Sequence, residues 1–243
     1  MAEKNDSLYK ERIDKRKFDE VRPVNVKVGV VPSADGSAMF ETGGTRAIAV
    51  VRGPRTLHPQ HMQNPQKGIL RVNYGMMPFS VWDRIRPGPS RRSEEISKVS
   101  EWALSDVVDL DAFPNSVVDV FIQIPQADAG TRVAGLNAAA MALAHAGVPM
   151  KEMVSAISVG KMDKTLVLDL DKYEDSEFKD GEGSTDIPLA FSSRSGKLTL
   201  IQLDGKISPS ELKEVIETGR NACKKILDIQ TKALKNPGEE ITG

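Results

Sequence analysis

Scarcity narrows the reading of this 243-residue chain first. It has one cysteine, Cys223, so it can form neither an internal disulfide nor a cysteine-rich zinc site, and it suits a reducing compartment. Its three histidines are His58, His61 and His145. None stands beside a serine or cysteine motif that would suggest a triad, and His58 with His61 is too small a set for zinc. Neither GxxxxGKS, GxxxxGKT nor GxGxxG occurs, which makes ATP-driven chemistry and nicotinamide redox poor expectations. No apolar run approaches the roughly 18 residues of a membrane span. The charged start MAEKNDSLYKER lacks the apolar centre of a signal peptide, so a soluble cytoplasmic protein is expected, with no membrane partner. Net charge is nearly absent as well: 33 Lys and Arg against 34 Asp and Glu leave −1. That excludes a uniformly basic nucleic-acid binder but leaves room for a locally basic surface.

The charges present are segregated. From Val51 to Arg92 stand Arg52, Arg55, Lys67, Arg71, Arg84, Arg86, Arg91 and Arg92, with Asp83 the sole acid. From Asp169 to Asp186 eight acids face only Lys172 and Lys179. An apolar share of 40% with 28% charged residues is that of a soluble globular chain able to bury a core.

Periodicity predicts mixed structure. Val24–Val31 alternates as a half-buried strand, and SAMFETGGTRAIAVVRG reads as a hairpin turning at Gly43–Gly44. Ile69–Tyr74 and Val117–Ile124 repeat the period of two. Ser90 is a candidate N-cap for a helix with Ile96, Val99, Trp102 and Ala103 on one face. RVAGLNAAAMALAHAG reads as an Ala-rich helix stopped by Gly147 and Pro149. Strands follow near MVSAISVG, TLVLDLD, IPLAFSS and KLTLIQLDG. The last helix starts at a capping box, Ser208 with Glu211, and Pro209 at its first position. Its stripe of Leu212, Val215, Ile216, Cys223 and Ile226 makes Cys223 a core residue rather than a nucleophile. Hairpin-joined strands outnumber helices, so the expected class is α+β in a single compact domain spanning residues 11–235, with flexible tails at 1–10 and 236–243.

One stretch stands out chemically. In QADAGTRVAGLNAAA, Gly130-Thr131-Arg132 sits where a loop feeds a helix N-terminus. Free amides, the helix dipole, a hydroxyl and a guanidinium there can hold a phosphate-sized anion. Ser90-Arg91-Arg92 repeats the arrangement at a second helix start. Asp175 follows the strand ending LVLDL and Asp186 opens the strand at TDIPLA. Acids beside an anion site suit general acid work, because neighbouring negative charge raises a carboxyl pKa.

RIDKRKFDEVRPVNVKVGVV, ADGSAMFETGGTRAIAVVRGP, LRVNYGMMPFS, PSRRSEEISKV, FPNSVVDVFIQIPQADAGTRVAGLNAA, VLDLDKYED and TDIPLA, in that order, resemble the RNase PH family, and within it the catalytic subunits of the archaeal exosome core. The likeness runs from about Arg12 to Leu234. It implies an α+β fold related to ribosomal protein S5 domain 2 and 3′→5′ phosphorolysis of RNA, with inorganic phosphate as co-substrate. It also implies a ring of three heterodimers with a second subunit of the same fold, topped by RNA-binding cap subunits. Gly130, Thr131 and Arg132 fall on the family's phosphate-binding G-S-R, and Arg92 on its second phosphate-contacting arginine. Asp175 and Asp186 fall on its acid pair, as general acid or as holders of a Mg²⁺. Arg55, His61, Arg84, Arg86 and Arg91 would contact RNA phosphates. A free-standing tRNA-trimming homohexamer and a non-catalytic ring subunit are the alternative readings. The chain departs from the pattern at Thr131 (usually Ser), Lys15 (often Gly), Gln60 (often Arg) and in SEFKDGEG, which lengthens the loop before Asp186. Asp180 thereby acquires the family's spacing from Asp186, but Asp175 keeps its distance from the LVLDL strand and is the preferred partner.

Overall fold

The computed structural model describes residues 8–243. Among the described residues ten strands form two sheets. β1 (Val24–Val28), β2 (Gly36–Thr42), β3 (Thr45–Thr56), β4 (Ile69–Met76), β5 (Ser116–Gln126) and β10 (Glu240–Thr242) make a six-stranded sheet in the order β10-β1-β2-β3-β5-β4. Its pairs are antiparallel except β4 with β5. β6 (Val154–Met162), β7 (Thr165–Leu168), β8 (Ser184–Ser192) and β9 (Leu198–Ile201) form an antiparallel sheet ordered β7-β6-β8-β9. Three helices complete the fold: α1 (Arg91–Ser105), α2 (Thr131–His145) and α3 (Pro209–Lys235).

α2 is the element both sheets share. It packs on β2, β3 and β5 of one sheet and on β6 and β8 of the other, and every residue from Val133 to Leu143 is buried. Close approach is required at Gly135, where a methyl group would lie 2.8 Å from Ile122 Cγ2, while Leu136, Met141 and Leu143 of the same helix are large, fully buried side chains. α1 covers β4, while α3 covers β6 and turns its buried line of Val215, Gly219, Ala222, Cys223, Ile226 and Gln230 inward.

The hairpin, the Ser90 N-cap and the Ser208–Glu211 capping box form as the sequence predicts. Several expectations need correction. Trp102 is 62% exposed, because the buried line of α1 is Ile96, Ser100, Ala103 and Leu104 and Trp102 lies off it, with Lys98 Nζ 5.7 Å from its ring centroid. β7 stops at Leu168, since Asp169 takes φ +55° and turns the chain. Residues 236–243 are no loose tail: Ile241 pairs with Val26, and Gly243 exchanges two backbone hydrogen bonds with Val24, covering the β1 edge. At the other end, residues 1–7 of the expected 1–10 tail lie outside the described residues, but Tyr9 is 6% exposed and belongs to the packed body. The loop carrying Asp180, longer than the family pattern, is tied down by side-chain bonds. Asp163 receives the Glu182 amide, and Lys161 bridges Glu182 (2.8 Å) and Glu211 (2.9 Å).

Candidate active site

Two helix N-termini open onto one cavity of about 660 Å³ between the sheets. Arg92 lies in the first turn of α1, behind the Ser90 cap. Gly130 caps α2 in the left-handed conformation (φ +63°), and Thr131 and Arg132 begin the helix. No side chain caps this end, so its first amides face the cavity wall without an intrachain acceptor of that kind.

The approach to Gly130 is held by a buried scaffold. Arg22 donates from its backbone amide and guanidinium to both oxygens of Asp169 (2.8–3.0 Å) and to the Asp128 carbonyl. Arg22 keeps its proton more firmly than usual: although burial opposes its charge, Asp169 outweighs that. Thr45 Oγ1 donates to the Ala129 carbonyl (2.6 Å) and accepts from the Asp128 amide (2.8 Å). Tyr74 on β4 donates its hydroxyl to Thr131 Oγ1 at 2.9 Å, leaving the threonine proton free to point at an anion. Arg132 donates to Gln202, which in turn donates to Glu95 at 2.7 Å, so its guanidinium is oriented without a ligand.

The acids come from the second sheet. Asp186 on β8 lines the same cavity and accepts a hydrogen bond from Ser158 of β6. Asp175 enters from a five-residue π-helical turn, Tyr173–Glu177. Asp204, just beyond β9, exchanges two backbone bonds of 2.9 Å with Asp186 and also lines the cavity. Burial pushes the Asp186 carboxyl up to about 6; the Ser158 bond and Arg132 pull it down, and the charges of Asp175 and Asp204 add to the rise. Asp175 is raised too, by burial first and then by Asp204, against the pull of Arg92 and Arg132. Fixed cations facing carboxyls biased toward their protonated form can hold an oxyanion and supply a proton beside it.

The cavity thus gathers Arg92, Gly130, Thr131, Arg132, Asp175 and Asp186, while Asp180 is exposed and outside it. The other expected residues lie elsewhere. Arg86 lines an adjoining cavity of about 460 Å³ that shares Met76, Ile85 and Arg92 with the first. Arg84 (φ +44°) is exposed in the loop before α1, and Arg91 is exposed beside Arg92. Arg55 pairs with Asp119 of β5, which Arg71 also grips at 2.7 Å. Asp119 lies seven residues before the Gln126 end of β5, about 23 Å along the strand, and the Gly130 turn follows that far end. His61 is exposed in the short helical turn Gln60–Met62. Sequence reasoning missed Ser158, Asp204, Gln202 and Tyr74. Ser158 and Tyr74 carried only strand periodicity, and Asp204, preceding Gly205, looks like any turn acid. Among the described residues no three His, Cys, Asp or Glu side chains converge as a metal site.

Residues 20–149 match the model of the 3′ exoribonuclease family, domain 1, and residues 152–222 match its domain 2. The chain is 44% identical over 238 residues to the exosome complex component Rrp41 of Methanopyrus kandleri, covering 97% of this chain and 98% of that one. It is 48% identical over 224 residues to the Rrp41 component of Thermococcus kodakarensis, covering 92% and 88%. The crystal structure of rice (Oryza sativa) Rrp46 superposes with a TM-score of 0.82 at 26% identity, covering 93% of this chain and all of that one. The two family models together span most of the chain, and the chain belongs to the RNase PH family of 3′ exoribonucleases.

Proposed function

We propose that this chain is the catalytic subunit of an archaeal-type exosome ring, degrading RNA from its 3′ end by phosphorolysis. The observation that carries this is the single cavity in which Arg92 and the Gly130-Thr131-Arg132 turn face Asp175 and Asp186. Orthophosphate would rest on Arg92, Arg132, the Thr131 hydroxyl and the amides at the start of α2. One phosphate oxygen attacks the phosphorus of the last phosphodiester, and the bond from that phosphorus to the preceding 3′ oxygen breaks. Asp186, with a carboxyl pushed up to about 6, delivers its proton to the leaving oxygen. A nucleoside diphosphate is released and the RNA is one residue shorter. Because no bond energy is lost to water, high diphosphate and low phosphate run the reaction backwards and add a 3′ tail.

In the alternative role, with both carboxyls ionised, Asp175 and Asp186 would instead hold a Mg²⁺, which would offset charge on the phosphates. The RNA strand approaches along the basic side chains Arg84, Arg86 and Arg91, with Arg55 and His61 at the far end of β5, gripped through its phosphates. The partners are a second subunit of the same fold, alternating with this one in a ring of three heterodimers, and RNA-binding cap subunits. The cytoplasm is the expected compartment, consistent with the buried thiol Cys223.

The test is labelled RNA incubated with the assembled ring, with and without orthophosphate. Nucleoside diphosphates appearing only with phosphate are expected. Nucleoside monophosphates formed equally well in both would sink the reading.

A further inference from the structure

The π-helical turn that presents Asp175 is five residues long and is closed by short local bonds: the Asp175 amide reaches the Asp171 carbonyl, the Phe178 amide that of Tyr173 and the Glu174 amide the Asp171 side chain, while the Ser184 hydroxyl donates to the Asp175 carbonyl. Its anchor is the neighbouring residue on its inner side. Glu174 has a fully buried side chain that accepts from Arg12 Nη2 at 2.7 Å, from the Tyr9 hydroxyl at 2.6 Å and from the Asp171 amide at 3.0 Å. Arg12, equally buried, also donates to the carbonyls of Leu168 (2.8 Å) and Asp169 (2.7 Å). Segments about 160 residues apart in the chain therefore meet at one carboxylate.

Stability alone does not explain this choice of residues. Two ions sealed from water lose most of their mutual attraction to desolvation, and an apolar filling of the same volume holds a fold as well or better. What an apolar filling lacks is direction. Short charge-assisted bonds from three sides fix how a five-residue turn is rotated, and rotation decides whether the next side chain points into the cavity.

We propose that Glu174, clamped by Arg12 and Tyr9, is a positioning residue that aims Asp175 at the reacting phosphates. The proposal rests on the place given to Asp175 under the proposed function. Tyr9 is suited to its part at any working pH, because burial and then the Glu174 bond keep its phenol protonated far above the usual range. A misaimed Asp175 affects turnover, whereas phosphate capture by Arg92 and the Gly130 turn stays as it was.

Tyr9→Phe tests this with little disturbance of packing, since its ring keeps its edge contact with Phe178 (centroids 5.2 Å apart) and its neighbour Phe18. In the assembled ring we expect kcat to fall about 3- to 10-fold with KM for phosphate unchanged. The deciding measurement is a double-mutant cycle. If Glu174 acts through Asp175, Tyr9→Phe costs nothing further in an Asp175→Asn background and its full factor in an Arg132→Ala background. The same loss in all three backgrounds, or a lower melting temperature with unchanged kcat, overturns the proposal. Glu174→Gln, which keeps one accepting oxygen, replaces the other with an NH₂ and removes the negative charge opposite Arg12, should show the same dependence on background. An Asp175→Asn ring as fast as wild type would instead remove Asp175 from the mechanism, a result distinct from a damaging Asp175→Asn beside a silent Tyr9→Phe.

Discussion

The sharpest consequence of the site concerns the pH at which Asp186 can give up a proton. Its carboxyl is raised from the usual aspartate range to about 6, by burial and by the charges of Asp175 and Asp204. A raised carboxyl stays protonated to a higher pH, so the acid form is complete well below 6 and is lost above it. At pH ~7 about one molecule in ten carries the proton and at pH ~8 about one in a hundred, so kcat should fall roughly tenfold per unit on that limb. Bound phosphate, another anion beside the carboxyl, shifts the limb upward without changing its direction. Asp186→Asn should lose about 10²–10⁴ in rate, the scale of a general acid, and its remaining activity should no longer follow that limb. Asp175→Asn should also be slow, with the limb displaced to lower pH, since one of the charges raising Asp186 is gone. Asp180→Asn should behave as wild type, because Asp180 is exposed outside the cavity. The assay is kcat at saturating phosphate and RNA from about pH 5.5 to 8.5, all variants assembled with the same partner. A wild-type kcat that stays flat or rises over pH 6 to 8, together with an Asp186→Asn rate within tenfold of wild type, would refute the assignment.

Two further outcomes follow from the same geometry. Arg92→Ala and Arg132→Ala should each weaken transition-state stabilisation by about 2–3 kcal/mol, seen as a higher KM for phosphate and a lower kcat, while RNA binding measured by titration persists; complete loss of RNA binding would make them backbone contacts instead. Lys15 occupies the left-handed region (φ +62°), where a side chain carries a strain of about 1 kcal/mol. Lys15→Gly should therefore raise stability in a denaturant titration by up to about 1 kcal/mol, and a loss of stability would show that the Lys15 side chain holds something in place.

That strain shows how the sequence could be read in places and not in others. Lys15 standing for a common Gly is visible in the sequence, but its consequence depends on a backbone angle that only the folded turn reveals. The helix starts at Ser90, Thr131 and Ser208 were legible because capping and the dipole act within four residues of the chain. Asp175 was separable from Asp180 because a strand end fixes distance where a lengthened loop does not. The buried polar network was not legible: Tyr9 and Glu174 are 165 positions apart, and neither has a local signal that the other exists. The same holds for Asp204, which reaches Asp186 only through an isolated bridge between strand ends. Trp102 was misread because four apolar residues can be drawn onto a helical face in more than one way, and packing on β4 chooses between them. The C-terminal strand follows Pro237 and Gly238 and has one apolar residue, too short a pattern for periodicity to register.

The cations and the acids of the site come from different halves of the chain. Arg92 and the Gly130-Thr131-Arg132 turn belong to the segment 20–149, and Asp175 and Asp186 to the segment 152–222. Each half alone is chemically incomplete: one could hold a phosphate but not protonate a leaving oxygen, and the other has acids with no anion site. The acids also depend on the join for their chemistry, since Asp186 is raised by burial that the cavity between the sheets supplies. What keeps the halves in register is α2, whose first turn lines the cavity with Thr131 and Arg132 and whose body is buried between both sheets. Asn137 in that helix exchanges hydrogen bonds of 2.8 Å with the Ala156 backbone of β6, two residues from the Ser158 that touches Asp186. The small residues Ala134, Gly135 and Ala138 to Ala140 alternate in this helix with the larger buried Leu136, Met141 and Leu143, and a larger side chain at Gly135 would press on Ile122. Under the proposed function the packing of α2 is therefore part of the catalytic geometry: it sets the distance between a phosphate held at the first turn of α2 and the acids of the second sheet, and Gly135 is the position where added bulk would alter it.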